Sequence, residues 1–107
     1  MAGRRYALVI GNSDYKDNRL SQLTAPTEDA STLADILEDP TIGNFEVTCL
    51  INESVDRIRK EIADFFARKE RDDTLLMYFS GHGLLDHRRA RLYLTATDTD
   101  TDFFRAT

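Results

Sequence analysis

The sequence predicts an α/β fold built on a mainly parallel sheet, and three observations carry the prediction. Two short runs, Tyr6 to Ile10 and Leu75 to Phe79, are apolar without a polar break, the pattern of strands buried on both faces. Between them, two stretches with helical apolar spacing flank one alternating strand. The order strand, helix, strand, helix, strand then has crossovers long enough for right-handed βαβ units.

The first strand ends at Gly11-Asn12, and a polar loop rich in turn formers runs on to Gln22. Thr27 after Pro26 is the expected cap of the first helix, with Glu28 and Asp29 in its acidic first turn. Ala30, Leu33, Ala34 and Leu37 fall at i, i+3, i+4 and i+7 and form one apolar face. Asp39-Pro40 ends that helix, and Gly43-Asn44 turns the chain. Phe45, Val47, Cys49 and Ile51 alternate with polar residues, apart from Leu50, so this strand has a wetter face or lies at an edge. Ser54 caps a second helix with Val55, Ile58, Ile62, Phe65 and Phe66 on one stripe. Arg57 with Glu61, Asp56 with Lys60 and Asp64 with Arg68 form i,i+4 pairs on its wet side, each worth only ~0.2–0.5 kcal/mol. The third strand follows, then the basic turn Asp86-His87-Arg88-Arg89 and a small strand from Arg91 to Thr95.

The two most apolar strands belong inside the sheet and the alternating one at its edge, giving the order 2-1-3. The switch point lies between the first and third strands, where open α/β sheets bind ligands. That brings Gly11-Asn12-Ser13-Asp14-Tyr15 and Ser80-Gly81-His82-Gly83 into one crevice. The glycines beside His82 are expected to leave its imidazole and the neighbouring N–H groups open to a ligand. The outer edge of the third strand has little to cover it, and an open apolar edge is an aggregation hazard. At least one further strand is expected, from sequence beyond these residues or from another chain.

The 107 residues suffice for one domain, residues 1–107. With 14 basic and 19 acidic residues, a net charge of −5 and no basic block, nucleic-acid binding is not expected. No apolar stretch approaches the roughly 18 residues of a membrane span. Ala7 to Ile10 is too short for a signal-peptide core, so the expected location is cytoplasmic. A single cysteine excludes an internal disulfide and a Cys-rich zinc site.

Four segments in order resemble the caspase-like cysteine peptidases, a group spanning caspases, metacaspases, paracaspases and bacterial relatives. Ala7-Leu8-Val9-Ile10-Gly11-Asn12-Ser13-Asp14-Tyr15 resembles the family's first strand and loop. Leu23-Thr24-Ala25-Pro26-Thr27-Glu28-Asp29-Ala30 resembles its first helix, in the paracaspase form. Tyr78-Phe79-Ser80-Gly81-His82-Gly83 resembles the segment with the catalytic histidine, and Leu92-Tyr93-Leu94 the hairpin strand after it. The resemblance implies a three-layer α/β/α fold and a Cys–His endopeptidase acting on peptides or proteins without a required cofactor. It implies that His82 is the catalytic histidine, that the Gly83 N–H helps form the oxyanion hole, and that Asp29 lines the P1 pocket and selects Arg or Lys. Nothing in the sequence matches the family's cysteine-bearing strand. The chain is therefore expected to be the amino-terminal part of a caspase-like domain, inactive alone and completed by the rest of its domain or by another chain.

Other readings stand beside this one. His82 is also readable as a satisfied loop histidine, and Asp29 as an acidic residue favourable at a helix N-terminus. Cys49, mid-strand in an apolar setting, reads as a small hydrophobe rather than a nucleophile. His82, Asp86 and His87 form a possible metal cluster without an evident fourth ligand or supporting shell. Asp98, Asp100 and Asp102 mimic the opening of a calcium loop, but Phe103 stands where an EF-hand needs glycine, leaving only a different acidic calcium site open. Gly11-Asn12 lacks the glycine pattern of a nucleotide loop. Arg88-Arg89-Ala90-Arg91 reads as a solvated loop or a processing site. At the level of function, the alternatives are a non-catalytic caspase-like assembly or regulatory module and a flavodoxin-like binding domain.

Overall fold

The structure, a computed structural model, describes residues 3–86, 88–89 and 91–101. Strand β1 (Arg5–Gly11) lies between β2 (Glu46–Ile51) and β3 (Thr74–Ser80) in a parallel sheet ordered β2-β1-β3. Helices α1 (Ala25–Glu38) and α2 (Val55–Phe66) make the two crossovers. A two-stranded antiparallel ribbon, β4 (Gly83–Asp86) with β5 (Arg91–Leu94), follows.

β1 is the axis of the core. Ala7, Leu8, Val9 and Ile10 are all at most 1% exposed, as a continuous apolar run at the centre of a parallel sheet requires. Its alternate residues divide the core. Leu8 and Ile10 pack with Leu50, Ile58 and Phe65 on one face, while Ala7 and Val9 pack with Ala30 on the other. Leu50 therefore breaks the alternation of β2 because it faces α2, whereas Val47 and Ile51 join the α1 side. Gly11 allows α1 to approach the sheet, since a Cβ there would stand 2.5 Å from the Pro26 carbonyl oxygen.

Four local expectations need correction. Helix α1 begins before Thr27, with Thr24 at its N-cap and Pro26 in its first turn. The Thr27 N–H is instead met by Ser13 Oγ at 3.1 Å. On α2, Ser54 caps as expected, accepting from the Arg57 N–H at 3.2 Å, but Phe66 is exposed at the last turn, off the buried stripe. Strand β3 is not buried on both faces: Leu76 and Met77 are 38% and 43% exposed. The cause is its place at an edge, with no strand paired to its outer side among the described residues. Finally, Gly83 to Asp86 forms a strand that was not expected and that takes in Asp86, the first residue of the expected turn Asp86-His87-Arg88-Arg89; four residues carry too little pattern to announce a strand. Of the spaced ion pairs on α2, Arg57 Nε and Glu61 close to 3.3 Å.

Candidate active site

The loops after β1 and β3 meet as the sheet order demands. Gly11 is in register with Ser80, and the Asn12 N–H donates to the Ser80 carbonyl at 2.9 Å. His82 sits just beyond β3, where its imidazole Nε2 lies 2.8 Å from the Ser21 carbonyl oxygen. A carbonyl only accepts, so Nε2 carries the proton in this bond. Nδ1 then holds the free lone pair of the neutral ring, with no hydrogen bond among the described residues. The ring packs against Tyr15, with centroids 5.0 Å apart and planes tilted by 58°.

The backbone around His82 is less open than the flanking glycines suggested. Its N–H donates to the Tyr15 hydroxyl at 2.9 Å, and its carbonyl accepts from the Thr95 N–H at 3.1 Å. The Thr95 hydroxyl lies 2.8 Å from the same carbonyl oxygen and 3.1 Å from the Tyr15 hydroxyl. Gly83 differs. Since Thr95 bonds to His82, the next pair, Gly83 and Leu94, is a non-hydrogen-bonded pair of the ladder. The Gly83 N–H therefore points away from β5 and is available as a donor. A β-carbon at Gly83 would crowd the Leu92 Cδ1 atom at 3.0 Å and otherwise make ordinary contact, 3.8 Å from the Tyr93 carbonyl oxygen.

Asp29 is exposed near the start of α1, at the carboxyl end of the sheet, with no ion-pair partner among the described residues. Cys49 lies on β2, opposite Val9, so β1 separates its strand from β3 and His82. It is exposed, which corrects its expected apolar setting: its strand, β2, lies at an edge of the sheet. Partial desolvation, with the carboxylates of Glu38 and Asp35, pushes its pKa up, away from a reactive thiolate.

The acidic stretch near the end of the chain has structural work. Asp98 Oδ1 accepts from the Val55 N–H at 2.8 Å, adding a cap to α2, and Asp100 lies 3.4 Å from Arg19. Asp17 accepts from the Thr101 N–H and hydroxyl, at 2.7 and 2.8 Å, and so ties the first loop to the segment after β5. Among the described residues no group of three or more His, Cys, Asp or Glu is placed to hold a metal. His87, Ala90, Asp102 and Phe103, invoked in the metal, processing and calcium readings, lie outside the described residues, while Arg88 and Arg89 are exposed in the β4–β5 turn. The helix-capping role of Asp98, the tie made by Asp17 and the bond of Tyr15 to the His82 N–H are not legible in the sequence. For Tyr15, an aromatic in an otherwise polar loop was the available signal.

An open parallel sheet, with a backbone-held histidine beyond a strand at its switch point, defines the class: an α/β protein. Residues 4–106 match the caspase domain family, peptidase C14, and the chain belongs to that family. Its members are peptidases, which implies protein substrates. No curated protein matches the chain. Among the described residues no helix is long and apolar enough to cross a membrane.

Proposed function

We propose that the intact gene product is a caspase-like cysteine endopeptidase in which His82 moves the proton and a cysteine outside these 107 residues is the nucleophile. The observation that carries this reading is the Nε2–H bond to the Ser21 carbonyl, which holds the ring and leaves Nδ1 as the base. Nδ1 takes the thiol proton as sulfur adds to the scissile carbonyl carbon. The carbonyl π electrons move to oxygen, where the Gly83 N–H donates to the developing charge. Collapse of the tetrahedral state breaks the C–N bond, and the leaving amine takes the proton from Nδ1. Water, giving a proton to Nδ1, then hydrolyses the thioester and the thiol is restored. No cofactor enters these steps. The exposed Asp29 carboxylate is the counter-charge for Arg or Lys at P1. A cytoplasmic setting would keep the thiol reduced.

The test is cleavage of Arg- and Asp-terminated fluorogenic peptides by the intact gene product. The Arg peptide is expected to be cleaved, and turnover to vanish in His82→Ala with the melting temperature nearly unchanged. Retained turnover in that variant sinks the assignment. Asp29→Ala should lower kcat/KM for the Arg peptide by roughly 10- to 100-fold, the range of a lost hydrogen bond to a charged group. A second reading, a non-catalytic module that assembles with a partner, is favoured by the exposed Leu76 and Met77 on the open β3 edge. A gene product that has no cysteine-bearing strand, cleaves neither peptide and binds a sheet-completing partner would establish it.

A further inference from the structure

We propose that Tyr15, itself held by Gln22, is a positioning residue for His82, clamping its backbone so that Nε2 stays on the Ser21 carbonyl and Nδ1 stays free. The proposal deepens the peptidase reading and rests on it for the use made of Nδ1.

The argument starts from the ladder. Where His82 stands opposite Thr95, a hydrogen-bonded antiparallel pair would exchange two bonds. Only one is made, from the Thr95 N–H to the His82 carbonyl. The other is replaced at both ends: the His82 N–H turns to the Tyr15 hydroxyl at 2.9 Å, and the Thr95 carbonyl accepts from Asn12 Nδ2 at 2.8 Å. Tyr15 thus stands in for a strand partner. Its side chain is buried, and its hydroxyl donates to the Asn12 carbonyl at 3.1 Å, which anchors it to the end of β1. Gly81 makes the approach possible, because a Cβ there would lie 2.7 Å from that hydroxyl.

Gln22 closes the clamp. Its Oε1 accepts from the Tyr15 N–H at 2.8 Å and its Nε2 donates to the Tyr15 carbonyl at 2.7 Å. Ser21, whose carbonyl holds the His82 ring, is the adjacent residue. The loop is therefore tied to itself at Tyr15 and Gln22, and grips the histidine at two points, the N–H through Tyr15 and the ring through Ser21. Two bonds to one residue fix a geometry that a single bond would leave free to pivot.

The test is NMR of the 15N-labelled protein, reading the His82 ring tautomer from two-bond couplings and its amide exchange relative to the β1 amides. The wild type should show the Nε2–H tautomer and a protected amide. Tyr15→Phe keeps the ring and removes only the hydroxyl. It should speed His82 amide exchange at least about fivefold, the equivalent of one net hydrogen bond. Gln22→Ala should lower the ratio of Nε2–H to Nδ1–H tautomer by a similar factor, about fivefold. Because Gln22 is exposed, this variant serves if Tyr15→Phe does not fold. Leu50→Ala, a core truncation on β2, should destabilise the fold yet leave both readouts unchanged. Folded variants with wild-type tautomer and exchange would overturn the proposal, as would equal changes in Leu50→Ala. Retained turnover in His82→Ala would refute the peptidase reading while leaving these spectra untouched, so the two failures are separable.

Discussion

Substitution of Gly11 by alanine tests how tightly the site's two supports, β1 and α1, are packed together. An added Cβ would stand 2.5 Å from the Pro26 carbonyl oxygen and 2.7 Å from the Ala30 Cβ, where ordinary contact begins at 3.4 Å. Both obstacles are parts of a helix with no rotamer to change, and Ala30 is fully buried, so α1 must retreat by about 1 Å to relieve the clash. Overpacking of this kind costs about 1–3 kcal/mol, and the absence of a flexible neighbour puts Gly11→Ala near the top of that range. Urea unfolding followed by circular dichroism should show the midpoint falling by about 1–2 M at an unchanged slope. Gly83→Ala is the matched control. Its one tight contact would be with the tip of Leu92, which is 65% exposed and free to move, so the change should stay within about 0.5 kcal/mol. Equal midpoints for Gly11→Ala and wild type would refute the packing argument.

Three further outcomes follow from the same geometry. Ser54→Ala should cost about 1 kcal/mol by losing the α2 cap, whereas Thr24→Ala should be nearly silent in a melting curve, because the Thr24 side chain makes no capping bond. Leu76→Lys and Met77→Lys, on exposed positions, should stay within about 0.5 kcal/mol, while Leu8→Ala, fully buried, should cost about 2–5 kcal/mol. The Thr101 N–H and then Arg19 hold the Asp17 carboxyl well below the usual carboxylate range, and bonds from Thr41 to Asp39 and from Arg4 and Glu70 to Asp73 act in the same direction. A carboxyl lowered by folding stabilises the native state above its unfolded value of about 3.9 and loses that contribution as pH falls through the folded one. Stability should therefore drop as the pH is taken below about 4, less steeply in Asp17→Asn; an identical acid limb in both would contradict it.

The elements legible in the sequence are those whose signal is local. Tyr6 to Ile10 declares a central strand because four consecutive apolar residues have no wet face to offer, and all four from Ala7 are buried. The apolar spacing of Ala30, Leu33, Ala34 and Leu37 likewise settles which face of α1 meets the sheet. From these, the order 2-1-3 and the meeting of the His82 loop with the loop after Gly11 followed by topology alone. What was not legible depends on neighbours remote in sequence. The bond between Tyr15 and the His82 N–H spans 67 positions, and no periodicity announces it. Asp98 looks like part of a cation-binding run until Val55 is brought beside it. Leu76 and Met77 have the composition of a buried strand, but exposure is set by what lies next to β3, which composition does not encode.

The most direct test of the central claim is to treat the intact gene product with an arginyl peptide electrophile that alkylates a thiolate held beside a catalytic histidine, and to map the adduct by mass spectrometry. The adduct is expected on a cysteine outside these 107 residues and is expected to be lost in His82→Ala. Labelling of Cys49, or labelling that persists without His82, would contradict the account.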